Sequence, residues 1–152
     1  MARSEKKRTG RMERTGQTKK IKIREAAESD LPAWQSLAGE LFQNSLIELD
    51  EDDLILLAYA SRQPIGFVHL HPVRSSVLLS GIGVIQAWRG MGIGGELMRA
   101  AMEKAGEKWP GKPLQLEVEQ TNPAALRLYA SWGFMLTQTG PTTYQLRRAV
   151  SN

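Results

Sequence analysis

The chain contains no cysteine and only two histidines. Without cysteine there is no disulfide framework, thiolate metal site or cysteine acyl-enzyme, so covalent chemistry would need another nucleophile. Long apolar runs are missing as well. The longest, Leu54 to Ala60, has seven residues, against the roughly 20 that a bilayer-spanning helix needs. The basic opening residues are not followed by the apolar segment of a signal peptide, so a cytoplasmic protein is expected. Aromatic residues are sparse at 7%. Trp34, Trp88, Trp109 and Trp132 are dispersed, the pattern of packing residues rather than of a base-stacking platform.

What is present is the balance of a globular protein: 152 residues, 41% apolar and 24% charged. That length suits one domain with a sizeable core and is too short for two ordinary ones. The net charge of +4 is unevenly spread. Residues 1–20 hold eight Lys/Arg against Glu5 and Glu13, a balance of 8 − 2 = +6, which leaves 12 − 14 = −2 for the rest. With Met1 and Met12 as its only sizeable apolar groups, this leader cannot offset the entropy of ordering. It reads as a solvated extension, with contact to nucleic acid or an acidic surface as the alternative. The folded unit is expected over residues 21–150. Within it, Glu48–Asp53 places five acids in six positions; this reads as a solvated loop, or, if it rims a substrate site, as a field favouring a cationic amine.

Hydropathy patterning predicts the element order β-α-β-β-β-α-β-α-β-β. Ile21 and Ile23 alternate with Lys22 and Arg24, the period of a strand. Ser29 or Asp30 is positioned to cap a helix carrying Trp34, Leu37, Ala38 and Leu41 on one face. Three strands follow, Leu54–Ala60, Ile65–His71 and Val77–Ile85, separated by turn-forming residues. Leu97, Met98, Ala101, Met102, Ala105 and Trp109 make the apolar face of a second helix. Leu114, Leu116 and Val118 then alternate with Gln115, Glu117 and Glu119 as a half-buried strand. Asn122-Pro123 starts a third helix, Asn as cap and Pro in the first turn where its missing N–H is harmless. Gly133 ends it, and a closing hairpin completes the chain.

Arg89-Gly90-Met91-Gly92-Ile93-Gly94-Gly95, between a strand and a helix, carries the most information. Its glycines allow backbone N–H groups to converge beside a helix start, which makes a phosphate cradle, and Arg89 adds a fixed cation. Gly90, Gly92 and Gly95 satisfy G-x-G-x-x-G, with Glu117 22 residues beyond Gly95. A dinucleotide fold nevertheless fails, because hairpin strands precede the glycines and four residues separate the strand from Gly90. The Walker pattern fails for want of a terminal Gly-Lys-Ser/Thr.

Arg89 to Gly94 resembles the Arg/Gln-x-x-Gly-x-Gly/Ala acetyl-CoA motif of the GNAT N-acetyltransferase superfamily. Leu116-Glu117-Val118-Glu119-Gln120-Thr121-Asn122, continuing through Tyr129 to Gly133-Phe134, is similar to the family's strand–Asn–helix–Tyr–Gly-Phe block. The resemblance spans roughly residues 21–148. It implies an α/β (α+β) fold: one domain with a mixed sheet of about seven strands, splayed between the fourth and fifth and flanked by helices. Pantetheine would enter that opening beside Ile82, Gly83 and Val84. Arg89, Gly90, Met91, Gly92, Ile93, Gly94 and Gly95 would hold the pyrophosphate, and Asn122 would contact the coenzyme.

Acetyl transfer to an amine needs a base, an oxyanion donor and a proton for the departing thiolate. The resemblance implies Glu117 as base, and Glu119, on the same polar strand face, is the second choice; Leu79–Val84 offers no carboxylate, and Ser80, which could position a water, reads rather as a structural small residue. It implies Tyr129 as proton donor and a backbone N–H near Val84 for the oxyanion. Without cysteine, direct attack by the amine is expected. His69 and His71 share a strand face, but a metal site needs at least a third ligand and no spacing suggests one, so no metal is expected and the pair reads as facing solvent or substrate. The expected cosubstrate is acetyl-CoA and the expected partner a primary amine, on a small molecule, a protein N-terminus or lysine. The alternative from another class is a non-catalytic acyl-CoA-binding module whose basic tail docks to nucleic acid. Oligomeric state is open, a homodimer being one option.

Overall fold

The computed structural model describes residues 20–42 and 49–149; the leader reading, apart from Lys20, lies outside them. Seven strands form one sheet in the order β1-β2-β3-β4-β5-β7-β6. They are β1 Ile21–Glu25, β2 Leu54–Ala60, β3 Gln63–Pro72, β4 Val77–Val84, β5 Leu114–Glu119, β6 Met135–Thr139 and β7 Thr143–Arg148. Three α-helices, α1 Leu31–Leu41, α2 Ile93–Lys108 and α3 Pro123–Ser131, complete the expected order. None is long and apolar enough to cross a membrane, a statement that does not bear on strand-built barrels.

The sheet buries both faces. Ile55, Leu57 and Phe67 meet Trp34, Leu37 and Ala38 of α1 on one side. Leu54, Leu56, Val68 and Leu70 meet Ile93, Leu97, Met98 and Ala101 of α2 on the other, where α3 adds Leu126 and Tyr129. A two-sided burial explains why β2 reads as a continuous apolar run rather than an alternation. Leu97 and Met98 are fully buried; side chains of this kind contribute roughly 1.5–3 kcal/mol each.

β4 and β5 run parallel, yet only Val77 with Leu114 and Leu78 with Gln115 face each other as partners. Beyond those rungs β4 stays paired to β3 as far as Val84 with Gly66, while β5 stays paired to β7 through Glu119 with Thr143. The two halves therefore diverge into a V. Ser80 begins the divergence: Leu70 faces Leu79 and His69 faces Gly81, so Ser80 is an extra residue bulged out of the β3–β4 ladder. Such a bulge bends the strand and shifts its side-chain phase. It turns Gly81 and Gly83 toward Phe42 and Leu41 at the end of α1, and Ile82 and Val84 toward the α2 core.

Asp30 does not cap α1 with its side chain. Its carboxylate instead accepts from Arg24 Nη1 at 2.7 Å and Nη2 at 3.0 Å, from the Ala27 N–H at 2.8 Å and from the Tyr59 hydroxyl at 3.0 Å. The Arg24 contact, foremost, holds its pKa down to about 2. These bonds tie the entry of α1 to β1 and β2.

Candidate active site

The V opens toward the glycine turn. The Ile85 N–H reaches back to Ile65 on β3; since successive strand residues alternate their backbone groups, those of Ile82 and Val84 face the opening. Buried backbone groups demand partners, and an inserted chain bearing amides would supply them. The Val84 carbonyl accepts from Arg89 Nε at 2.8 Å. A short 3-10 turn, Gln86–Trp88, lies between them.

Gly90 and Gly92 have φ of 80° and 82°, a left-handed conformation that disfavours side chains bearing a Cβ. A Cβ at either would meet nothing within 4 Å, and at Gly94 or Gly95 would meet only Trp132, at 3.9 and 3.8 Å. No intramolecular crowding explains this much glycine. Gly92 caps α2 without a side-chain hydrogen bond, so the first amides of the helix are left for an external acceptor. Backbone access and the dipole end together fit a diphosphate.

Two ionisable groups lie on opposite faces of the sheet. Glu117 stands in mid β5 opposite Leu116 and Val118, exposed, and accepts from Thr143 Oγ1 at 3.1 Å. Glu119 is likewise exposed at the end of the strand. Tyr129, two turns into α3, packs against the α2-side core, with ring centroids 5.9 Å from Trp132 and 5.8 Å from Phe134. Burial pushes its hydroxyl pKa up. Asn122 caps α3, its Oδ1 accepting from the Ala125 N–H at 3.1 Å.

The structure thus sets the glycine turn at the end of β4, where β4 parts from β5, and packs α3 against the α2-side core. Sequence reasoning missed the Ser80 bulge, for which only the small-residue run Ser80-Gly81 gives a hint. It also misread the histidines. His69 is 3% exposed, packed under Trp34 with ring centroids 5.5 Å apart, and so faces neither solvent nor substrate. Asp53, read as part of a solvated loop, has a side chain only 2% exposed and bonded to both histidines.

The model of the acetyltransferase (GNAT) family matches residues 21–134. An uncharacterised N-acetyltransferase of Bacillus subtilis (strain 168), YhfO, is 34% identical over 102 residues, covering 63% of this chain and 67% of its own. The ribosomal-protein-S18-alanine N-acetyltransferase of Escherichia coli superposes with a TM-score of 0.73 at 19% identity, covering 87% of this chain and 95% of its own. PaiA N-acetyltransferase of Thermoplasma acidophilum, solved with coenzyme A, gives 0.72 at 20% identity, with coverages of 85% and 98%. Below 25% identity these structures speak for the fold, and the fold, the split sheet and the family match agree: the chain belongs to the GNAT acetyltransferase family.

Proposed function

We propose that the protein transfers acetyl from acetyl-CoA to a primary amine by direct attack. The observation that carries this reading is the gap between β4 and β5 opening onto the glycine turn at residues 89–95. Pantetheine fills the gap as a surrogate strand along Ile82, Gly83 and Val84. Arg89, Gly90, Met91, Gly92, Ile93, Gly94 and Gly95 hold the pyrophosphate, with Asn122 at the β5–α3 corner beside the arm.

A primary amine with a pKa near ~10.4 arrives protonated, and Glu117 takes that proton directly or through a water. The amine nitrogen then bonds to the thioester carbon. The oxyanion so formed is held by the Val84 N–H, a type of contact whose loss costs on the order of 10²–10³ in rate. As the C–S bond breaks, Tyr129 gives its proton to the sulfur and coenzyme A leaves as the thiol, while the second proton of the former ammonium leaves the nitrogen as the amide forms and returns through water to the Tyr129 oxygen; Glu117 releases its proton to solvent. Burial supports this role, because a hydroxyl with a raised pKa stays protonated until it is needed. Base and acid on opposite sheet faces keep the two proton transfers apart. The acidic turn ahead of β2 supports a cationic acceptor.

Thiol release measured across polyamines, aminoglycosides, amino acids and peptide N-termini tests the reading. Glu117→Gln and Tyr129→Phe are expected to slow release while calorimetric acetyl-CoA binding persists. Binding without turnover across the whole amine panel would instead support the non-catalytic module.

A further inference from the structure

We propose that Asp50, Asp53 and His71 form a site for a divalent transition-metal ion, Zn²⁺ being the best chemical match, which clamps the acidic turn before β2 to the end of β3. The proposal is independent of acetyl transfer and rests on how three donors converge. His71 Nδ1 lies 2.5 Å from Asp53 Oδ1 and 3.5 Å from Asp50 Oδ2, and one donor atom from each residue falls within 4.8 Å of the other two. Two carboxylates thus crowd one imidazole nitrogen that carries at most a single proton. A dipositive ion answers that charge pattern better than a proton does.

Asp53 is prepared for the role in a way surface acids are not. Its side chain is 2% exposed, and its second oxygen, Oδ2, is fixed at 2.7 Å from His69 Nε2. Metal-bound carboxylates are commonly oriented by such a hydrogen bond from behind. An open cavity of about 470 Å³ adjoins the site, lined by Glu25, Glu28, Asp50, Glu51 and Asp53 among apolar and backbone groups, with no basic side chain. A cation entering through this cavity meets carboxylates.

The geometry asks for little rearrangement. Zinc–nitrogen and zinc–oxygen bonds of about 2.0–2.2 Å in a tetrahedron set donors about 3.3 Å apart. The His71–Asp50 separation is close to that, and the His71–Asp53 pair opens by under about 1 Å. His71, with a side chain 29% exposed, has room to turn outward. Water completes the coordination. One imidazole and two carboxylates suit Zn²⁺, and argue against soft Cu(I).

The composition makes the test clean, since both imidazoles of the chain belong to this cluster and no thiol competes. The full chain, prepared without a polyhistidine tag, is titrated with Zn²⁺ by calorimetry and followed through its histidine ring proton resonances. One equivalent should bind and shift the His71 signals. Asp50→Asn, at a side chain 67% exposed and so harmless to folding, should weaken binding on the order of 10–100-fold; His71→Gln should do likewise. At the same Zn²⁺ concentration the thermal midpoint of the parent should rise further than that of Asp50→Asn. No heat and no resonance shift, or equal affinity in the parent and Asp50→Asn, would overturn the proposal.

Discussion

Arg89 donates through Nε to the carbonyl of Val84 at 2.8 Å, so the cation that opens the glycine turn is fastened to the last residue of the strand that lines the gap. In the proposed function this bond would link the diphosphate and pantetheine positions. Arg89→Ala should therefore weaken acetyl-CoA binding by about 1.5–3 kcal/mol, the range for a charge-assisted hydrogen bond. Calorimetry checks it, and unchanged affinity would remove Arg89 from the site.

The glycines of α2 and its approach should respond with opposite signs. Gly92→Ala places a Cβ at a φ of 82° and should destabilise by roughly 1 kcal/mol, besides weakening coenzyme binding. Gly106→Ala lies within the same helix with open space around it and should stabilise by about 0.5–1 kcal/mol. Denaturant melts of the two variants make the comparison.

Tyr129→Phe should lower kcat by about 10²–10⁴-fold with little change in coenzyme affinity. Because burial raises the hydroxyl pKa, the parent should keep its donor protonated past pH ~10. An alkaline loss of kcat belonging to Tyr129 at neutral pH would contradict this. Glu117→Gln should lower kcat/KM by about 10²–10⁴-fold, and a rate close to the parent's would remove Glu117 as the base.

Asp30 makes acid sensitivity predictable. Its folded pKa of about 2 lies below the ordinary 3.8, so the stability it contributes is present above the latter value and is lost as pH falls toward the former. Asp30→Asn should be less stable than the parent at neutral pH, and the gap should narrow between about pH 4 and pH 2. Urea melts across that window test the sign.

Much of this architecture was legible in local pattern. The alternation of Leu114, Leu116 and Val118 and the helical spacing of Leu97, Met98, Ala101 and Ala105 put each element in its place, with boundaries moving by one or two residues. Asn122-Pro123 reads as a helix start and is one. Asp30 was harder, because its rival partners Arg24 and Tyr59 come from other elements and outcompete the helix amides for one carboxylate. The bulge at Ser80 shifts the core-facing set from Val77 and Leu79 to Ile82 and Val84, but the adjacent Leu78 and Leu79 are both apolar and mask that shift in the hydropathy pattern.

The amino-acid order alone determined the elements, the glycine turn with its cationic Arg89, and the family, because periodicity, the missing Cβ of glycine and capping act between near neighbours. The tertiary structure alone decided where β4 parts from β5, that Glu117 and Tyr129 lie on opposite faces of the sheet, and that Asp53 is buried between His69 and His71. Those are contacts between residues far apart in the chain, and only the packing of the sheet sets their distances.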